Sequence, residues 1–247
     1  MIPLKSEQEL AMLKKSGKIL GKAMQRLQGF IKPGVMTSEI DRLAAELLKQ
    51  EGAVPAFKGY RGFPANICTS INEEVVHGIP SDRVLKEGDI ISLDLGVDYQ
   101  GYFSDAAVTL PVGRINAQVK KLIEVTKKAL SEGIKQARQD NHLSDISYAI
   151  QTYVEGHGFS VVRQFIGHGI GCSLHEEPEI PNFGRPHQGP LLKSGMVLAI
   201  EPMVNMGTWE CKILDNGWTA VTKDGLASAH FEHTLAVTDK GPEILTN

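Results

Sequence analysis

One stretch of this chain occurs twice, and each copy ends on a carboxylate. Leu85-Lys86-Glu87-Gly88 leads through Asp89-Ile90-Ile91-Ser92-Leu93 to Asp94, and Leu192-Lys193-Ser194-Gly195 leads through Met196-Val197-Leu198-Ala199-Ile200 to Glu201. Asp94 and Glu201 stand 107 positions apart. A short apolar run bounded by a glycine reads as a buried strand. A duplicated strand that delivers an acid to equivalent places in two half-folds builds one shared, acid-lined centre. Two unrelated apolar strands are the bland alternative; the common Leu-Lys-x-Gly lead-in favours duplication.

The helical signals repeat as well. Ser6-Glu7-Gln8-Glu9 is a capping-box pattern that opens a helix with Leu10, Leu13, Leu20, Met24 and Leu27 on one face, stopped near Gly29. A second helix starts at Thr37 or Ser38 and ends at Gly52. A third runs from Asn116, and a fourth starts at Ser144 and ends near Gly158. Ser38, Ile40 and Gly52 fall on Ser144, Ile146 and Gly158, each 106 positions later. The period is too long for a solenoid. It predicts two α+β halves, about residues 1–110 and 111–247, packed as a single domain with no linker between them.

Bulk properties exclude several classes. Apolar residues make up 42% of the 247 and charged residues 22%, with a net charge of −3, so there is no basic footprint for sequence-specific nucleic acid binding. No run of about 18 apolar residues offers a membrane span. No signal-peptide core follows the N-terminus. Cys68, Cys172 and Cys211 are odd in number and far apart, which fits a reducing cytoplasm and gives no Cys-x-x-Cys zinc pair. Gly-x-Ser-x-Gly, the phosphate-binding glycine loop and His-Glu-x-x-His are all absent.

Ile90–Val97 and Tyr102–Leu110 read as a strand pair about a turn at Asp98-Tyr99-Gln100-Gly101. With Tyr99-Gln100 as the loop, Asp94 faces Asp105 directly, which is unfavourable for two like charges unless they share a proton or a cation. Divalent ions suit such carboxylates. A slipped register with one Asp in solvent is the other reading. Ala229–Val237 reads as a strand with Phe231, His233 and Leu235 on one face and Glu232, Thr234 and Ala236 on the other; an exposed Glu232 is equally open. His168 lies among glycines in Ile166-Gly167-His168-Gly169-Ile170-Gly171, His175 follows in a polar loop, and His77 follows a strand-like run. Each has a bland reading as an ordinary structural or exposed histidine.

Taken together, these segments resemble the type I methionine aminopeptidases of short bacterial form, from about residue 4 to the C-terminus. The resemblance rests on Asn72-Glu73-Glu74-Val75-Val76-His77-Gly78-Ile79-Pro80, the Asp94/Asp105 pair, Gly167-His168-Gly169-Ile170-Gly171, His175-Glu176-Glu177-Pro178, Ala199-Ile200-Glu201-Pro202-Met203 and Glu232-His233-Thr234, all in family order. It implies the pita-bread fold, an α/β (α+β) architecture with internal pseudo-twofold duplication and an antiparallel sheet covered by helices. It also implies two divalent ions (Mn, Fe, Co or Zn) held by Asp94, Asp105, His168, Glu201 and Glu232, with Asp105 and Glu232 bridging. Asp94 would chelate one ion, and His168 and Glu201 would bind the other.

The activity implied is removal of N-terminal methionine from nascent chains and peptides, small penultimate residues being preferred, through hydroxide held between the ions. His175 would donate to the tetrahedral intermediate, His77 would contact the scissile amide nitrogen or nearby backbone, and Glu201 would also shuttle a proton. Phe57, Tyr60 and Phe63 would line the methionine pocket, with Trp218 at its rim. Phe57, Phe63 and Leu174 depart from the Cys, Tyr and Phe common in the family. The expected setting is a cytoplasmic monomer acting on nascent chains at the ribosome. Two rivals remain: a prolidase or Xaa-Pro aminopeptidase, which shares the fold and similar ligands, and a pita-bread binding protein without catalysis.

Overall fold

The computed structural model describes residues 2–247, among which are four α-helices: α1 (Glu7–Phe30), α2 (Thr37–Gln50), α3 (Ala117–Gln136) and α4 (Leu143–Gly156). None is long and apolar enough to cross a membrane. The capping box at Ser6 forms: Ser6 Oγ accepts from the Glu9 N–H, and Glu9 Oε2 accepts from the Ser6 N–H. Leu13, Leu20 and Leu27 lie on one face of α1 and are fully buried. Asn116 caps α3 by accepting from the Val119 N–H.

In the first half, β1 (Val54–Pro55), β2 (Cys68–Ile71), β3 (Glu74–Val76), β4 (Ile90–Tyr99) and β5 (Tyr102–Pro111) follow the helices. β4 pairs antiparallel with β1, β2 and β5. The second half adds β6 (Ser160–Val161), β7 (Gly167–Gly169), β8 (Glu176–Ile180), β9 (Val197–Ile200), β10 (Met203–Asn205), β11 (Cys211–Ile213), β12 (Ala220–Thr222), β13 (Ser228–His230), β14 (His233–Thr238) and β15 (Gly241–Ile244). Its five-stranded sheet runs β15-β14-β9-β7-β8, and β13-β10-β6 forms a smaller one. β3 pairs with β12 and so carries a first-half strand into the second half. Helices α1 and α2 bury Leu20, Ile40 and Leu48 with Leu93 and Leu95 of β4, whereas α3 and α4 bury Leu122, Ile146 and Ile150 with Leu198 of β9 and Leu235 of β14.

The duplication extends to single hydrogen bonds. An isolated bridge joins Met36 to Val84, and another joins His142 to Leu191. Glu39 accepts from the Met36 N–H at the start of α2, and Asp145 accepts from the His142 N–H at the start of α4, both at 2.8 Å. The repeated Lys-x-Gly opens a β-turn over residues 86–89 and again over 193–196: Asp89 N–H donates to Lys86 O and Met196 N–H to Lys193 O, each at 3.1 Å. Gly88 and Gly195 occupy its third position at φ 94° and 93°, where a side chain would be strained. The glycine is kept because each acid-bearing strand must be entered through the same turn.

Two expectations need correction. The hairpin loop is Gln100-Gly101, both at positive φ in the pattern of a type I′ turn, not Tyr99-Gln100. Asp94 therefore pairs with Ala107 and Asp105 with Gly96, so the acids are diagonal rather than direct neighbours. A partner shift of two residues preserves the face of a strand, and both acids stay together and buried, 9% and 5% exposed. The strand read over Ala229–Val237 is broken at Phe231-Glu232, between β13 and β14. There the chain crosses onto β5, with the Glu232 N–H donating to Ala107 O at 2.9 Å. Threonine hydroxyls stitch both sides of the crossing. Thr234 Oγ1 accepts from the Asp105 N–H and donates to Asp105 O, and Thr109 Oγ1 does the same for His230.

Candidate metal centre

β4 and β5 bring Asp94 and Asp105 from the first half; β7, the end of β9 and the β13–β14 crossing bring His168, Glu201 and Glu232 from the second. All five line one cavity of about 280 Å³, as do His77, His175, Phe57, Tyr60, Phe63 and Trp218. Asp105, His168 and Glu232 each place a ligand atom within 4.8 Å of the other two. Asp94 and Glu201 flank that trio without belonging to it. His168 Nε2 lies 3.7 Å from Glu201 Oε1.

The electrostatics are those of a site short of positive charge. Burial, then the neighbouring Asp94, drives the Asp105 carboxyl well above its ordinary value. Burial, then Asp105, does the same to Glu232. Burial raises Asp94 to about 6 and Glu201 to about 8. Four carboxylates this close in a dry site cannot all ionise alone. Two dications would balance their charge. Asp94 Oδ1, Asp105 Oδ1 and Glu232 Oε1 are buried with no hydrogen-bond partner, which is rare for carboxylate oxygens unless an ion is their partner. His168 Nδ1 lies 2.8 Å from Gly169 O, so it carries the proton and leaves the Nε2 lone pair free. Burial, then His175, lowers the His168 pKa to about 3, which keeps the ring neutral as a ligand must be. The donor set fits divalent ions.

Around this floor stand the remaining groups. His175 stacks on Tyr60, its Nδ1 2.8 Å from the phenolic oxygen, and its ring centre is 4.2 Å from that of His168. Burial, then Arg61, lowers its pKa. His77 is held at φ 61°, edge-on to Phe165 and Trp218. Phe63 meets Phe57 and Trp218 edge-to-face, closing an apolar wall. Gly96 admits Phe57, since a Cβ there would lie 2.6 Å from Phe57 Cε1.

Sequence reasoning missed Cys68, Phe165 and His230. Cys68 faces Asp94 across β2–β4. Phe165 could have been found from its place two residues before Gly167. His230 sits below the cavity, with Nε2 3.6 Å from Glu201 Oε2; its segment was read only for Glu232.

The profile of metallopeptidase family M24 matches residues 11–239. The chain is 54% identical to methionine aminopeptidase of Clostridium perfringens over 246 residues, covering 100% of this chain and 99% of that protein. It is 53% identical to methionine aminopeptidase 1 of Bacillus subtilis at the same coverage. Its fold superposes on the crystal structure of methionine aminopeptidase from Thermotoga maritima with a TM-score of 0.99 and 46% identity, over the whole of both chains.

Proposed function

We propose, from the premise that this chain belongs to metallopeptidase family M24, that it is a hydrolase releasing N-terminal methionine from peptides and nascent proteins. The observation that carries this reading is the convergence of three buried acids, the half-buried Glu201 and a neutral His168 at the floor of a cavity with an aromatic wall. Asp94, Asp105, His168, Glu201 and Glu232 would be the residues that hold two divalent ions there. When bound, such ions lower the pKa of water and polarise a carbonyl.

The chain's own residues do the rest. The thioether of methionine is unbranched and polarisable and packs well against aromatic edges, which Phe57, Phe63 and Trp218 offer. His175, held by Tyr60, is placed to donate to an oxyanion as it develops on the scissile carbonyl. His77 is placed to contact the scissile amide or adjacent backbone. Glu201, at the floor of the cavity, is placed to accept a proton and return it to the departing amine. The reading includes a preference for small second residues. The working unit in this reading is a monomer acting on nascent chains in the cytoplasm.

The test is methionine release from Met-Ala-Ser and Met-Lys-Ser, against cleavage of a Xaa-Pro dipeptide, on protein of known metal content. Fast release from Met-Ala-Ser alone is expected. Preferential cleavage of the proline dipeptide would transfer the chain to the proline-specific branch of the fold, and no cleavage at all would favour a binding protein.

A further inference from the structure

His230 takes no part in the chemistry assigned above. Its ring is 1% exposed, and neither Nδ1 nor Nε2 has a hydrogen-bond partner among the described residues. A buried polar side chain is almost always satisfied, and one that is not calls for an explanation. The Glu201 carboxylate lies between two imidazoles: Oε1 is 3.7 Å from His168 Nε2, and Oε2 is 3.6 Å from His230 Nε2. The second distance exceeds a hydrogen bond, yet a small turn of the carboxylate closes it. Asn182 bonds the Glu201 backbone carbonyl at 3.1 Å and leaves the carboxylate to other donors.

The backbone that carries the ring is fixed. The His230 N–H and C=O are both bonded to Thr109 Oγ1 at 2.8 Å, and Thr109 Oγ1 is itself 2.8 Å from Ser92 Oγ on the acid-bearing strand β4. Across the ladder His230 pairs with Met203, two residues after Glu201. The frame that carries Asp94 and the frame that carries Glu201 therefore both anchor the backbone from which this imidazole projects.

We propose that His230 is a positioning residue for Glu201: its Nε2–H donates to Oε2 in the loaded centre and so holds Oε1 toward His168 and the ion they share. The inference rests on the metallopeptidase reading. Outer hydrogen bonds of this kind typically change metal affinity by about 10–100-fold.

The test uses full-length wild type, His230→Gln and His230→Leu, each stripped of metal. Apo unfolding midpoints are measured first, then Co(II) affinity by calorimetry and the visible spectrum of the Co(II) protein. The Leu variant should keep or exceed the wild-type apo midpoint, because two unsatisfied buried nitrogens are gone. It should bind Co(II) about 10–100-fold more weakly, with a changed spectrum. The Gln variant, which keeps an N–H donor, should restore both toward wild type. Wild-type Co(II) affinity and spectrum in a folded Leu variant would overturn the proposal, and so would a lowered apo midpoint with affinity intact, the mark of a purely structural role.

Should the Leu variant fail to fold, imidazole ¹⁵N spectra of Zn(II)-loaded wild type decide the matter: a protonated Nε2 on His230 is expected, and a bare Nε2 overturns the proposal. A wild type that binds Co(II) but releases no methionine defeats the proposed activity while the His230 comparison still reads out. A wild type that binds no ion defeats both.

Discussion

Replacing Glu201 with Gln should make the metal-free protein more stable at neutral pH, although it removes a proposed ligand. Burial raises the Glu201 carboxyl from 4.5 to about 8. A folded-state pKa above the unfolded one means that the native state holds the proton more tightly. The stabilisation is complete below about pH 4.5 and is lost as pH rises through the folded value. Linkage removes about 1.4 kcal/mol per pH unit across that window, so by pH 7 this one group lowers apo stability by about 3 kcal/mol relative to pH 4.5. Glutamine has nearly the same shape and does not titrate. Urea melts of stripped wild type and E201Q should therefore differ little near pH 4.5 and separate by about 3 kcal/mol at pH 7, or roughly 6–12 °C in Tm for a chain of this size. Adding a divalent ion should reverse the order, because only wild type offers the full carboxylate set. Parallel pH profiles for the two apo proteins would refute the reasoning, since they would mean that Glu201 is solvated in the native state.

Asp105→Ala or Glu232→Ala should abolish methionine release and reduce bound metal measured by mass spectrometry while circular dichroism stays native; near-normal turnover with metal supplied would rule out their role as ligands. His175→Ala should lower kcat by roughly 10²–10³, the usual effect of deleting an oxyanion donor, with metal content unchanged; metal loss in that variant would place His175 among the ligands instead. Tyr60→Phe removes the phenolic oxygen 2.8 Å from His175 Nδ1, and kcat should fall by about tenfold or less, the scale of one hydrogen bond; an unchanged kcat would show that stacking alone orients the ring.

The duplication was legible because each copy must enter its strand through a turn that requires glycine, so Gly88 and Gly195 and their lead-ins survive as readable repeats. The facing of Asp94 and Asp105 was legible for a different reason. Strand side chains alternate with period two, so an error of two in the cross-strand partner left both acids on the same side. The error itself came from the turn: Gln100 is an unusual residue at positive φ, and only Gly101 marked the loop. The break at Phe231-Glu232 was not legible, because alternation of large and small residues continues through it. What bends the chain there is the Glu232 N–H bonding Ala107, more than a hundred residues away. His230 was hidden likewise, its place beneath Glu201 being set by Thr109 and the β10 pairing rather than by neighbours in sequence.

One titration tests the metal dependence most directly: protein freed of every divalent ion, then returned to measured amounts of a single ion, with bound metal and methionine release read on the same samples. Stripped protein should be inert and should recover turnover in step with the ion it binds. Undiminished turnover in a sample with no detectable ion would contradict the account.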